Sequence, residues 1–162
     1  IFYYLYAVLH SHTYRTRYAE FLKVDYPRLP LTSSGDLFRQ LYGIGKELVA
    51  LHLLEAPVLD NLITGFVGKG DNVVAKGYPK YQDSMVLVNM TQGFYGVPKN
   101  VWEFHIGGYQ ICEKWLKDRR GRKLSELDMA LYRKVIVALS KTIRLMNDVD
   151  DAIESAGGWP MR

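Results

Sequence analysis

Cysteine occurs once in 162 residues, at Cys112. That excludes a disulfide framework and a thiolate metal cluster, and it favours a reducing, cytoplasmic setting. No apolar run approaches the ~20 residues that a membrane helix needs, and no signal peptide is visible, so no membrane partner is expected. Histidine is also sparse. His10, His12, His52 and His105 make no metal-ligand spacing with carboxylates or with Cys112, which leaves them structural roles. Gly65-Phe-Val-Gly-Lys-Gly70 lacks the glycine spacing and the Lys-Ser/Thr ending of a phosphate loop, and it reads as a glycine-rich turn. Neither Glu20 with Lys23 nor Glu113 with Lys114 completes the acidic pair plus Glu-x-Lys of a metal-dependent nuclease. With no catalytic constellation, the chain reads as non-catalytic and without a cofactor of its own.

What is present is ordinary globular material. Hydrophobic residues make up 48% and charged residues 23%, which argues against disorder. The length suits a single domain over residues 1–162. A start at Ile1-Phe-Tyr-Tyr4, in mid-pattern and without an initiator Met, suggests a piece of a longer polypeptide. The net charge of +4 is a mild bias towards a polyanionic partner, and its distribution says more. From Lys99 to Lys123 there are seven basic residues against three acidic ones, whereas acids gather in Asn147-Asp-Val-Asp-Asp-Ala-Ile-Glu154.

Periodicity predicts an α+β fold: N-terminal helices and a long C-terminal helix around a small, mainly antiparallel sheet of three or four strands. Residues 2–9 and 13–22 read as helices, with Phe2, Leu5, Tyr6 and Leu9 as one apolar stripe and Tyr14, Tyr18, Phe21 and Leu22 as the next. The prolines of Val24-Asp-Tyr-Pro-Arg-Leu-Pro30 impose extended chain. Ser33 and Asp36 form a capping-box signal for a helix to about Glu55, with Phe38, Leu41, Leu48, Leu51 and Leu54 inward and something packed against Gly43 and Gly45. Residues 57–72 read as a connection. Strands are expected over 73–78, 85–89 and 92–95, with a turn at Pro79 to Asp83. Val101 to Ile106 alternates as a further strand, Gly107-Gly108 acts as a hinge, and Tyr109, Cys112, Trp115 and Leu116 recur at helical spacing. A second capping box, Ser125 and Asp128, opens the last helix, with Tyr132, Val135, Ile136, Leu139, Ile143, Met146, Val149 and Ile153 on one face.

The positive chemical signal is basic and aromatic. Lys114, Lys117, Arg119, Arg120, Arg122 and Lys123 cluster at a helix end and its following loop, a composition suited to phosphate contacts. Base edges are read by forked polar side chains, for which Lys76, Lys80, Gln82, Asn89, Gln92, Tyr95 and Asn100 are the candidates in the sheet and its loops.

Two segments carry a family likeness. Leu9-His-Ser-His-Thr-Tyr-Arg-Thr-Arg-Tyr-Ala-Glu-Phe-Leu22 with Tyr26-Pro-Arg-Leu-Pro30 resembles the segment that follows the methyltransferase core in large restriction–modification enzymes. Val97-Pro98, Val101-Trp-Glu-Phe-His-Ile-Gly-Gly-Tyr-Gln110 and Lys114-Trp-Leu-Lys-Asp-Arg-Arg-Gly-Arg122 resemble the C-terminal specificity domain of the type ISP class, in the same order over nearly the whole chain. The resemblance implies a target-recognition domain. Its partners would be double-stranded DNA and the upstream methyltransferase domain of the same polypeptide, where S-adenosylmethionine and N6-adenine methylation belong. Trp102, Phe104, Ile106, Gly107, Gly108, Tyr109 and Trp115 read as scaffold. The rival reading is a structural coupler, whose last helix packs on a partner domain while the basic tip is merely solvated.

Overall fold

The computed structural model describes residues 1–27 and 29–161. Arg28, within the segment expected to be extended, lies outside the described residues. The elements in chain order are helices α1 (Phe2–His10), α2 (His12–Arg17), α3 (Ala19–Val24) and α4 (Gly35–His52), then a 3-10 turn at Pro57–Asp60. Strands β1 (Gly65–Val67), β2 (Lys80–Gln82), β3 (Met85–Leu87) and β4 (Gly93–Tyr95) follow. The chain ends with α5 (Lys99–Trp102), β5 (His105–Ile106), β6 (Tyr109–Gln110), α6 (Ile111–Lys117) and α7 (Glu126–Ser155). The α+β class is as the periodicity indicates. None of the described helices is long and apolar enough to cross a membrane. The chain forms two compact units, Ile1–Ala56 with Lys141–Arg162 and Pro57–Ser140, and α7 supplies residues to both.

The first unit is helical. Its core joins Tyr4, Ala7 and Val8 of α1 to Tyr14, to Leu37 and Leu41 of α4, and to Val149, Ala152 and Ile153 of α7. The inward face of α1 is thus rotated from the expected stripe, and Phe2 is 62% exposed. Two local facts select the observed face. The Tyr4 ring stacks on Phe38 at 4.8 Å, and its hydroxyl donates to the Pro30 carbonyl at 2.8 Å, so burial leaves no polar group unpaired. Beside Ala7, Gly45 lets the helices meet: a Cβ at Gly45 would lie 1.8 Å from the Tyr3 carbonyl oxygen. Gly43 has open space around it and needs no such account. The expected second helix is divided at Tyr18, and Phe21 stays 67% exposed. The cap of α4 is Ser34, one residue beyond the Ser33 signal; its hydroxyl accepts from the Leu37 N–H. That helix ends at His52, and Leu54 beyond it has φ 59°.

The second unit holds a four-stranded antiparallel sheet in the order β1-β4-β3-β2. Its register aligns Phe66, Phe94, Val86 and Tyr81 on one face and Gly65, Tyr95, Met85 and Gln82 on the other. The first face is the core side. Phe94 packs on Phe66 and on Tyr132 of α7, with centroids at 4.9 and 4.6 Å, and Trp115 joins Tyr132 at 5.0 Å. Full burial of each such side chain contributes about 1.5–3 kcal/mol.

The strands depart from the expected ones at several places. β1 arises inside the stretch read as a connection, where Phe66 and Val67 lie among glycines at Gly65, Gly68 and Gly70. Residues 73–78 form no strand; Val73 and Val74 make isolated bridges to Lys123 and Arg120, while β2 lies in the supposed turn region. Asp83 (φ 50°) and Ser84 (φ 60°) make the tight turn of the β2–β3 hairpin. Val101 and Trp102 are both buried in one helical turn begun by Pro98, with Val101 and Trp102 N–H groups on the Pro98 carbonyl. A strand would have put them on opposite faces, so local alternation misled. Gly107 (φ 56°) and Gly108 (φ 83°) turn a second hairpin, β5–β6, instead of hinging a strand into a helix. Tyr109 therefore leaves the helical stripe and is 60% exposed, whereas Cys112 and Leu116 are fully buried. The Ser125–Asp128 capping box is present as read: the Ser125 hydroxyl accepts from the Asp128 N–H at 3.0 Å, and the Ser125 N–H donates to the carboxylate at 3.0 Å.

Candidate nucleic-acid interface

The basic tip is not a uniform cluster of cations. On α6, Lys114 pairs with Asp118 at 2.8 Å and Lys117 with Glu113 at 2.8 Å, each one helical turn apart. The hydrogen bond that Lys114 donates to the Asp118 carboxylate raises the Lys114 pKa above its usual value. The guanidinium of Arg119 lies 3.4 Å from the centre of the Trp115 ring, donates to the Trp115 carbonyl at 2.9 Å and faces Asp128 at 3.4 Å. Hydrogen bonds from Ser125, reinforced by Arg119, hold the Asp128 carboxyl below its ordinary pKa. Arg119 thus ties the end of α6 to the start of α7.

Beyond α6 the chain crosses the segment before β2. The Gly121 N–H donates to the Val74 carbonyl at 2.9 Å, the Val74 N–H to the Arg122 carbonyl at 3.2 Å, and the Leu124 N–H to the Asn72 carbonyl at 2.8 Å. Gly121, at φ 74°, allows this path. Arg120 extends the same docking, its Nε donating to the Tyr78 carbonyl. The Lys80 ammonium stands 5.0 Å from the centre of the Tyr78 ring. Folding therefore adjoins two basic stretches some forty positions apart in the chain, one with Lys76 and Lys80, the other with Arg120, Arg122 and Lys123. Among the described residues, Lys76, Arg122 and Lys123 are exposed cations with neither an ion pair nor a side-chain hydrogen bond.

The base-reading candidates divide as well. Lys80 and Gln82 project from the solvent face of β2, and Tyr95 is 48% exposed on the same face of β4. The Tyr95 ring covers Gly65, where a Cβ would come within 2.5 Å of its hydroxyl. Asn100, on α5, is exposed. Asn89 and Gln92 behave differently. Gln92 is only 2% exposed; its carbonyl oxygen accepts from the Asn72 N–H at 2.9 Å and from Asn89 at 3.0 Å, and its amide donates to Asn72 at 2.6 Å. The Asn89 amide also donates to the Val73 carbonyl at 3.1 Å. These two residues brace loops, and Gln92 is a frame residue instead of a surface reader. No periodicity distinguishes a buried amide from an exposed one in a loop, so only contacts reveal this.

Burial also fixes the thiol and histidine chemistry. Cys112, pushed up to about 12 by burial, is an inert core thiol. In the first unit His52 bridges the Tyr6 hydroxyl at 2.7 Å and Thr142 at 2.9 Å, and burial with the nearby His10 lowers its pKa to about 4. Among the described residues no group of three or more His, Cys, Asp or Glu side chains could hold a metal ion.

The family model of the Type ISP C-terminal specificity domain matches residues 1–148. No curated protein matches the chain. Among solved structures, a nuclease-deletion mutant of the Type ISP restriction–modification enzyme LlaGI, in complex with a DNA substrate mimic, is similar at 26% identity and a TM-score of 0.69. That similarity covers 91% of this chain and 16% of that one. A DrdV–DNA complex shares the fold at 20% identity and a TM-score of 0.72, covering 91% of this chain and 17% of that one. The ATP-dependent Type ISP enzyme LlaBIII, bound to DNA, does so at 20% identity and a TM-score of 0.70, covering 91% and 11%. The chain thus spans less than a fifth of the length of each.

Proposed function

The chain belongs to the Type ISP C-terminal specificity domain family, and we propose that it selects the DNA sequence at which a restriction–modification enzyme acts. The observation that carries this reading is the docking of the basic tip, residues 119–124, onto the segment leading to β2. It joins unpaired cations from two distant stretches in a unit whose sheet presents Lys80, Gln82 and Tyr95 on its solvent side. Lys76, Lys80, Arg122 and Lys123 are the principal phosphate contacts, because their charge is not already neutralised. Lys114 and Lys117 contribute less, each being offset by a carboxylate one turn away. Arg119 and Arg120 act chiefly by holding the surface together. Base edges are read from Gln82, Tyr95 and Asn100, with Lys80 on the same sheet face as the first two.

The parent polypeptide would supply the methyltransferase domain, with S-adenosylmethionine bound there, and would carry out N6-adenine methylation and cleavage in the cytoplasm. The 26% identity to LlaGI, solved with a DNA substrate mimic, supports the DNA-facing part of this reading.

Anisotropy titration with duplex DNA over a range of salt concentrations tests it. Affinity should fall steeply with salt, and Arg122→Ala with Lys123→Ala should flatten the log–log slope by about 2, at roughly 0.9 per phosphate contact. Lys114→Ala with Lys117→Ala should flatten it less. A wild-type chain that binds duplex without salt dependence would defeat the assignment.

A further inference from the structure

The loop at residues 88–92 presents one side chain that its own architecture does not use. Met90 is 87% exposed, yet the backbone on either side of it is fixed from several directions. The Val88 N–H donates to the Gln92 carbonyl at 3.0 Å, closing the loop. The Asn89 side-chain oxygen accepts from the Thr91 and Gln92 N–H groups at 3.0 and 2.8 Å. The Thr91 hydroxyl donates to the Lys69 carbonyl at 2.9 Å. Gly68, at φ 106°, admits that approach: a Cβ there would lie 1.9 Å from the Thr91 carbonyl oxygen. Buried Gln92 completes the frame through Asn72.

Single exposed apolar side chains are common, and Val24, Tyr26 and Leu127 are similarly exposed; what sets Met90 apart is that its loop is braced on both sides and tied to the cationic surface. The loop is also joined to the cationic surface. Asn89 donates to the Val73 carbonyl and the Ala75 N–H donates to the Val88 carbonyl at 2.9 Å, so the segment that docks Arg122 and Lys123 and leads to Lys76 anchors the loop too. The nearby Asp71 carboxylate is turned back onto the Val73 N–H at 3.0 Å.

We propose that residues 88–92 form a rigid finger whose Met90 side chain packs against the C5-methyl group of a thymine in the major groove of the target DNA. The inference deepens the DNA-recognition reading and rests on it. The major groove displays the thymine methyl as an apolar mark, and an unbranched thioether is a suitable surface to read it. A rigid support matters because a mobile side chain on a mobile loop would discriminate poorly.

The test is selection of bound sites from a randomised duplex library by the wild-type chain, followed by replacement of each selected thymine, one at a time, with uracil. At one position the wild type should lose about fivefold in affinity, the small end of what a mismatched position costs. Met90→Ala should bind the thymine and uracil duplexes equally, with its salt slope unchanged, and Met90→Leu should restore most of the difference. Because Met90 is exposed, neither change should alter the unfolding transition. A Met90→Ala chain that keeps the thymine preference, or that weakens on all duplexes alike, overturns the proposal. If the wild-type chain binds no duplex and selects no sequence, the DNA-recognition reading itself has failed and the Met90 contact falls with it; that result is visible before any variant is compared.

Discussion

In the first unit, Tyr4, Ala7 and Val8 lie with Leu37 and Leu41 in an apolar helical core, and the closest approach is at Gly45, where there is room for hydrogen and no more. In the second unit, much of the chain between strands is held by side chains bonded to backbone: Asn89 to Val73, Gln92 to Asn72, Tyr81 to Val97 at 2.9 Å and Arg133 to Thr64 at 2.9 Å. Helix packing depends on volume at the contact, and it tolerates change on the solvent side. Side-chain braces depend on hydrogen-bond geometry at a few polar positions and leave the loop tips between them free to carry recognition. The exposed cations and Met90 sit on the braced unit, which is where a specificity surface can vary without disturbing a core.

The largest effect is expected at the two glycines of α4. Gly45→Ala should destabilise the chain by about 3 kcal/mol, since the added methyl meets backbone and the helices must separate. Gly43→Ala, with nothing within 4 Å, should stabilise it by up to about 1 kcal/mol through helix propensity. Denaturant unfolding of both variants distinguishes them, and equal effects would contradict the packing described.

Next in size are the braces. Gln92→Ala removes the acceptor of the Asn72 N–H and of one of the two bonds the Asn89 amide donates, and a loss of about 1–3 kcal/mol is expected. Hydrogen exchange should show the loss concentrated at residues 68–75 and 88–92; loss confined to α1 and α4 would contradict it.

A pH dependence should follow from the first unit. His52 titrates near 4 when folded and near 6.5 when unfolded, so between those values the unfolded chain binds the extra proton. Stability is then unaffected by His52 above about 6.5 and falls as pH drops from there to about 4. Thermal unfolding should show a lower midpoint at pH 4.5 than at pH 7, and His52→Gln should shrink that difference. A pH-independent midpoint in both chains would remove His52 from the account.

The smallest effect is expected at α6. Lys114→Ala removes a solvent-exposed pair with Asp118 and should leave the unfolding midpoint essentially unchanged. A larger change would mean that the pair is structural after all.

Much of the scaffold is readable without coordinates. The α7 stripe from Tyr132 to Ile153, its Ser125–Asp128 cap, the antiparallel sheet and the helical N-terminus follow from periodicity and capping chemistry, which act over a few residues. The α1 face was not readable, because Tyr4 and Phe2 are both aromatic and only the Pro30 carbonyl and Gly45 decide between them. Nor was the period-two alternation at Val101 to Ile106 a reliable sign, because Pro98 starts a helical turn that buries two successive residues. The polar candidates show the same division. Asn89 and Gln92 have the chemistry of base readers, yet both belong to the frame, while Met90 has no signal in the sequence at all.

Neighbouring residues alone are enough to specify the helices α4 and α7, the Ser125–Asp128 cap and the gathering of cations near residue 120, since all of these depend on contacts over a few positions. Only the tertiary structure decided which cations remain unpaired, which amides are buried and which segment meets the basic tip. Those outcomes depend on contacts between residues distant in the chain, where distance and hydrogen-bond geometry, not residue type, select among equivalent side chains.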